Sequence, residues 1–442
     1  MIRGRVTVLE MPSDPSEAAN FAQVKHFFNR CKPDEPVPAS DEDHFYIDFD
    51  ALRLRGERCV DTLASTIALA DGATCQLFTG FSGSGKSSEL LRLRARLEQQ
   101  QYLVVYIDAL DILELQKPIE YPEVLTHIGL SVDAAITGLV KAGKVTSWVR
   151  SFGQELNSFL GADIRVAKIE ANTGGAGLGV ELRHNDIFRR SLRDAARSHR
   201  HQFLSQAGDF FADADRLLLR HGYAGLVVIF DSLEKIGDLP ELQEPARRMF
   251  LGEHEALRLP AVNMLYTVPV RLVFSSAGPV LGQLYDGEPQ VLPMVKVRDR
   301  ASGAPVEQGH QALRQLLARR VDFDEVFSGD EALVARLVDN SGGYIRDLLR
   351  LTQYSLQGAG ALPVREEDVS QAIAKLRRSY VRAYSTDYED LLRYIHEHRP
   401  ELVPAPLSTH IENVVVTHLT MVYGNDKDWY DIHPLVRDLV QR

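Results

Sequence analysis

The sequence predicts an α/β chain in which a parallel sheet is followed by a helical region and a small two-stranded module. Three observations carry the prediction. Short, near-continuous apolar runs occur at Leu77-Phe78, at Tyr102-Leu103-Val104-Val105-Tyr106-Ile107-Asp108 and at Leu226-Val227-Val228-Ile229-Phe230-Asp231, which is how parallel strands covered on both faces read. Stretches of helical period separate them. Beyond Arg300 the period is purely helical, over 306–320, 330–339, 344–357 and 366–384. We therefore divide the chain into an N-terminal arm (1–50), a core (51–300) with a hairpin and long-helix insertion at 155–220, a helical lid (301–385) and a winged-helix-like module (386–442).

The arm has little periodicity and carries Pro12, Pro15, Pro33, Pro36 and Pro38, so we expect irregular backbone packed on the core. Leu52-Arg53-Leu54-Arg55 then leads to a helical stretch (Val60, Leu63, Ile67, Leu69), with Arg53 and Arg55 expected at the surface. The stretch 74–92 organises the rest. Leu77 and Phe78 run into Gly80-Phe81-Ser82-Gly83-Ser84-Gly85-Lys86-Ser87-Ser88, and Leu90, Leu91 and Leu93 come next at helical spacing. Strand, G-x-x-x-x-G-K-[ST] and helix in this order make a complete phosphate-binding loop, a context that a glycine-rich linker lacks. The glycines allow the backbone to wrap an anion, and successive N–H groups point inward at a helix N-terminus. Lys86 supplies a charge for β- and γ-phosphates, and the Ser87 hydroxyl can ligate Mg²⁺. The loop thus predicts a nucleoside triphosphate site, and the fold class becomes a P-loop NTPase parallel sheet with a helical lid and a winged-helix-like end.

After the strand that ends in Asp108, residues 119–143 read as a helix. Residues 164–170 and 178–182 alternate in period two around Thr173-Gly174-Gly175-Ala176-Gly177, which we read as a hairpin with a glycine turn rather than a second phosphate site, since no lysine or helix directly follows. Residues 186–220 read as one long amphipathic helix with Arg189, Arg190, Arg193, Arg197 and Arg200 on its first half. A solvated charged face is the default, and a surface that meets phosphates or a neighbouring subunit is the alternative.

The apolar strand ending in Asp231 supplies the second chemical element. In a chain with a full phosphate loop, a carboxylate at such a strand tip belongs beside Mg²⁺. Glu234 is the nearest candidate to orient or deprotonate the attacking water, with a cap or salt bridge as its structural alternative. A further strand over 262–268 places Thr267 at the sheet's C-terminal edge, where parallel sheets bind ligands. Thr267 is a candidate to sense the γ-phosphate, and Ser275 and Ser276 are its rivals. The last strand is expected at 291–297, on an edge because of Pro293.

In the lid, Ser341-Gly342-Gly343-Tyr344-Ile345-Arg346 ends one helix and begins the next. Arg346, in that first turn, is placed to reach back to the phosphates, against a surface salt bridge as the alternative. The tail starts with a helix (Leu391, Leu392, Ile395). Strands over 414–423 and 429–432 then flank an acidic turn, a wing with no row of Lys or Arg suited to a DNA groove. A docking or packing role is therefore favoured over DNA reading.

Composition sets outer bounds. Of 442 residues 45% are hydrophobic and 25% charged, ordinary values for a globular chain of several domains. A formal charge of -11 speaks against a nonspecific nucleic-acid coat. Cys31, Cys59 and Cys75 have no metal-ligand spacing, so reduced thiols in a cytoplasmic protein are expected. We find no apolar run approaching the ~20 residues of a membrane span.

Phosphate loop, Val227-Val228-Ile229-Phe230-Asp231-Ser232-Leu233-Glu234-Lys235, a polar strand tip, the Gly-Gly-x-x-Arg lid and a winged C-terminus come in the order used by AAA+ and STAND ATPases. Over about 50–385 the chain resembles the NACHT-like and archaeal-type ATPases of the STAND side, and also origin-initiator AAA+ proteins. The resemblance implies ATP and Mg²⁺ binding with slow hydrolysis. It further implies a nucleotide-dependent conformational or oligomerisation switch, as a homo-oligomer or with a protein effector, in bacteria often in defence against phage. The alternative it implies is a DNA-acting ATPase of the initiator or transposition-helper kind. A small-molecule phosphotransferase is a third reading, for which the helical C-terminal third offers no acceptor pocket. Two departures stand out. Asp231 is followed by Ser232, with the next acid delayed to Glu234. No arginine lies in 282–290 to act as a finger, leaving Arg271 and the 189–200 cluster as unassigned candidates.

Overall fold

The structure is a computed structural model that describes residues 15–144, 152–160 and 174–441, apart from 43, 57, 260, 425 and 426. The chain forms two compact units. One comprises Cys59–Gly80 and Ser87–Val291; the other comprises Met1–Arg58, Phe81–Lys86 and Leu292–Arg442.

The first of these units is built on a five-stranded sheet. Its strands are β1 (Cys75–Gly80), β2 (Tyr102–Asp108), β3 (Gly225–Asp231), β4 (Asn263–Thr267) and β5 (Gln290–Leu292), in the order β2-β3-β4-β1-β5. The pairs β2–β3, β3–β4 and β1–β4 are parallel. Every residue of β1 and β3 is buried, for β3 as its continuous apolar run requires. The register pairs Asp108 with Asp231 and Phe78 with Thr267. Chemistry-bearing residues therefore gather at the C-terminal edge of the sheet, where ligands of such sheets bind. β5 lies at the edge, as Pro293 predicts, but stops at Leu292 instead of running to residue 297, because Pro293 has no N–H to extend the ladder.

The helix Tyr121–Lys141 opens with a capping box between Glu120 and Glu123. By length and composition it could cross a membrane, contrary to the expectation that no such run exists. It is instead a core helix, with Val124, Leu125, Ile128, Val132 and Ile136 buried in the same apolar cluster as Val228 and Phe230. Two other expectations are corrected here. Residues 186–220 form two helices, Asp186–Ser198 and Arg200–Arg220, separated at His199. The buried positions Phe188, Leu192, Ala196, Phe203 and Ala207 keep a helical beat across that break, so the pattern reads as continuous. The expected hairpin also fails in its second half, since Gly174–His184 is a helix; residues 164–170 lie outside the described residues. Leu182 is buried while Val180 is 59% exposed. A strand would have put the two on one face, whereas a helix separates them.

In the other unit the arm is not irregular throughout. Pro15–Arg30 is a helix, with Pro15 at its start, where a missing N–H costs nothing. Val24 and Phe27 are buried, and the Asn20 amide bonds both backbone groups of Leu362. The lid helices Glu307–Ala318, Glu331–Ser341, Ile345–Ala359 and Glu366–Ala383 lie where their periodicity puts them. The C-terminal part contains the helix Glu389–His398 and an antiparallel pair, β6 (Thr420–Gly424) and β7 (Asp428–Ile432). The expected strand over 414–423 begins only at Thr420. Ile411–Val416 is helical and packs Val414 and Val415 inward, and His418, at φ 59°, turns the chain into β6. Packing here overrides the strand preference of a valine run.

Candidate functional site

The loop Phe81–Lys86 comes directly after β1, and the 14-residue helix Lys86–Gln99 continues from it. Gly83 and Gly85 have φ of +85° and +102°, a region that side chains disfavour. Arg346 packs on Gly83 so closely that a Cβ added there would lie 2.7 Å from the arginine's own Cβ. Arg346 therefore lies against the loop. Its Nη2 is 2.7 Å from the Asp34 carboxylate, a partner from the N-terminal arm.

Other side chains hold the loop by its carbonyl oxygens. Tyr344 donates its hydroxyl to the Ser82 carbonyl, and Arg55 donates to the Ser84 carbonyl at 2.6 Å. Lys86 Nζ and the Ser84 N–H both donate to the Phe81 carbonyl, at 3.2 and 3.1 Å. Arg55, expected at the surface, is 2% exposed and lies over the Phe49 ring. The Phe81 ring is fully buried, 5.2 Å from that of His418, and His418 stacks on Tyr344 at 5.1 Å. Burial lowers the His418 pKa to about 4, so the ring is neutral at physiological pH.

In the sheet-bearing unit the metal-ligand candidates meet. Ser87 hydrogen-bonds to Asp231, whose carboxylate also accepts from Tyr106 Oη at 2.5 Å and from the Ser232 N–H at 2.7 Å. Asp231 is 1% exposed. Burial first, and then the charge of Glu234, raise its pKa, against those three hydrogen bonds. Ser232 sits in the left-handed region at φ 59°, an uncommon conformation for a non-glycine residue and one found at functional turns. Thr267 explains how the turn is held: its hydroxyl accepts the N–H groups of Leu233 (2.9 Å) and Glu234 (3.4 Å) and donates to the Phe230 carbonyl (3.3 Å). With Thr267 fully buried and its hydroxyl so committed, it positions the Asp231–Glu234 turn.

The remaining candidates stand apart. Ser275 is spent on local bonds to Leu272 and Ala277, and Ser276 is exposed. Four of the five clustered arginines are paired with carboxylates, Arg189 with Glu114 and Asp186, Arg193 with Glu123, Arg197 with Glu120 and Arg200 with Glu253, while Arg190 is exposed. Sequence reasoning missed Arg55, Tyr344, His418 and Tyr106. Tyr344, between the double glycine and Arg346, and Tyr106, two residues before a strand-tip acid, had a positional signal; Arg55 and His418 had none.

These residues fit a phosphate tail and a divalent ion. A loop that requires left-handed glycines, ahead of a helix N-terminus and a lysine, is an anion cradle. A hydroxyl and a buried carboxylate, with a second carboxylate raising its pKa, are hard oxygen donors whose mutual repulsion a cation relieves. Among the described residues no group of three or more His, Cys, Asp or Glu stands ready to hold a metal, so the ion would take further ligands from phosphate and water, the habit of Mg²⁺. The chain has a P-loop NTPase fold.

Comparisons with solved structures find likenesses along most of the chain. Over 93% of this chain and 100% of the other, it is similar to a Walker-type ATPase of Pyrococcus abyssi, at 14% identity and a TM-score of 0.42. It is similar to the Aeropyrum pernix ORC1 protein, solved in complex with DNA, over 92% and 96% of the two chains, at 15% identity and a TM-score of 0.38. It is also similar to Cdc6p from Pyrobaculum aerophilum, over 93% and 96%, at 11% identity and a TM-score of 0.37. The likeness is one of chain course and says nothing of activity or assembly. No protein-family model and no curated protein matches the sequence.

Proposed function

We propose that this chain is an ATP-binding, slowly hydrolysing P-loop ATPase that works as a nucleotide-dependent conformational or oligomerisation switch. One observation carries the reading. Within one unit the phosphate loop is gripped by the segment that follows the arm through Arg55, by the lid through Tyr344 and Arg346, and by the C-terminal module through His418. A loop built only for hydrolysis has no need of such attachments, whereas a switch requires them, because a ligand shifts a conformational equilibrium only through contacts that differ between states.

On this reading Lys86, Arg55 and Arg346 supply positive charge around the loop, Gly80 to Ser88 cradle the phosphates, and Ser87 and Asp231 hold Mg²⁺. The ion, when bound, neutralises charge developing on the transferred phosphoryl group. Glu234 orients the water, and Thr267 fixes the turn that carries it. The acid two residues beyond Ser232, rather than beside Asp231, supports slow turnover. An effector in defence against phage rests on the resemblance alone. The alternative is a DNA-acting ATPase of the initiator or transposition-helper kind, for which the charge of -11 speaks only against a nonspecific nucleic-acid coat.

The test is light scattering and calorimetry with ADP, ATP and a non-hydrolysable analogue, on the wild-type chain and Lys86→Ala. The expected result is binding that Lys86→Ala abolishes, with a change of size or shape on the triphosphate. Binding with no such change in any state overturns the switch, and duplex DNA binding that falls steeply with salt would favour the alternative.

A further inference from the structure

Tyr106 is the residue at this site that nothing in the loop motif or the strand-tip acid accounts for. It stands on β2 opposite Ile229, two residues before the edge. Its hydroxyl donates to Asp231 Oδ2 at 2.5 Å and lies beside Ser87, which also hydrogen-bonds to Asp231. The phenol and the serine hydroxyl thus converge on one carboxylate. The other Asp231 oxygen, Oδ1, accepts the Ser232 N–H at 2.7 Å. With donors on both oxygens the carboxylate plane has a fixed orientation.

The neighbouring acid does not share this task. Asp108 pairs in register with Asp231, but its carboxylate caps the following helical turn by accepting the Leu110 N–H at 2.9 Å. The phenol is therefore the side chain from β2 that reaches the carboxylate.

We propose that Tyr106 is a positioning residue for the metal, presenting the Asp231 carboxylate and the Ser87 hydroxyl together in the geometry that Mg²⁺ requires. The proposal rests on the ATP–Mg²⁺ reading of the site. Its physical basis is general: ligating carboxylates are themselves oriented by hydrogen bonds, and removing such an outer partner typically lowers metal affinity about 10- to 100-fold. Mg²⁺ is the demanding case because it tolerates little departure from octahedral geometry.

The experiment measures binding of a fluorescent ATP analogue, first in EDTA and then across a Mg²⁺ titration, in the wild-type chain, Tyr106→Phe and Tyr106→His. Mn²⁺ titration followed by electron paramagnetic resonance, in the presence of ATP, reads the ion directly. Tyr106→Phe removes one oxygen and keeps the ring, and a wild-type melting midpoint verifies the fold. Its expected signature is unchanged affinity in EDTA and a metal midpoint raised about 10- to 100-fold. Tyr106→His, whose ring N–H can still donate, recovers part of the loss and keeps the test decisive if the phenylalanine variant does not fold. A metal midpoint equal to wild type in either variant overturns the proposal. A wild-type chain that binds no nucleotide, with or without metal, overturns the underlying reading instead.

Discussion

The Asp34–Arg346 pair makes a quantitative prediction about nucleotide affinity. Arg346 lies on the phosphate loop, yet its guanidinium is engaged 2.7 Å from Asp34, whose side chain is 68% exposed against 20% for Arg346. If Arg346 is to meet a phosphate, Asp34 competes with the ligand. Pairs with one partner this exposed are worth about 0.2–1 kcal/mol, so Asp34→Asn is expected to tighten ATP binding by no more than about 5-fold. The gain should be larger for ATP than for ADP if the arginine reads the γ-phosphate. It should shrink between low and moderate salt, because an exposed pair is screened. Isothermal titration calorimetry on wild type, Asp34→Asn, Arg346→Ala and the double variant closes a cycle. Once Arg346 is gone, Asp34→Asn should do nothing, since both act through one contact. Weaker binding by Asp34→Asn, or the same gain without Arg346, would refute the competition.

Two further outcomes concern the loop and its surroundings. Gly83→Ala places a side chain at φ +85° and against Arg346; we expect about 1–2 kcal/mol lower stability from the backbone and ATP binding weaker by about 10-fold or more. Gly72→Ala, with nothing within 4 Å of its added Cβ, should stay within about 0.5 kcal/mol of wild type, and equal behaviour of the two would remove the steric argument. The pH prediction rests on His127 and His418, both held at about 4 by burial. The groups facing His418 are Tyr344, Asp347, His433, Arg346 and Lys86, and the charge facing His127 is Arg183. From an unfolded value of about 6.5 down to about 4, the unfolded chain binds more protons, so stability falls as pH falls through this window. Each histidine accounts for about 2 kcal/mol by pH 5. Denaturant titrations at pH 7 and 5 should show the loss, and His418→Phe, which keeps the ring stack, should remove its share.

What the sequence makes legible here is chemistry with a fixed local spacing. The phosphate loop, the Asp231 strand tip and the Gly342-Gly343 lid turn each depend on residues that are near neighbours in the chain, and each lies where its motif places it. Arg55 could not be found that way: it alternates with leucines in a stretch that looks like a surface, and only tertiary packing on Phe49 and Ser84 makes it a loop residue. Thr267 was legible as a residue at the sheet edge, but its hydroxyl serves the backbone of Leu233 and Glu234, a commitment that depends on which strand lies beside β3. The helix Gly174–His184 was misread because three apolar residues at spacing two also satisfy a helical spacing of four, and which of them is buried is a property of the core.

If the chain works as the proposed switch, the bonds to the loop are what would carry its coupling. Tyr344, Arg55 and Lys86 all donate to loop carbonyl oxygens, and none of these three bonds uses a loop N–H group. Because a peptide unit is planar, pinning its carbonyl on one side sets the direction of the N–H on the other. A shift of Tyr344 would therefore tilt the Ser82–Gly83 peptide and with it a donor that the phosphate tail would use. Tyr344 does not move alone, since His418 stacks on its ring and the next lid residues include Asp347, which accepts from Tyr380 at 2.6 Å and lies 3.1 Å from His433 Nε2. A phosphate tail that favours one tilt of that peptide thus favours one seating of the tyrosine, and through it of β6 and the residues before it. The same bonds require the reverse, because coupling between two sites is reciprocal: a partner that displaces His418 must alter the affinity of the loop for nucleotide by the factor with which nucleotide alters the affinity for that partner.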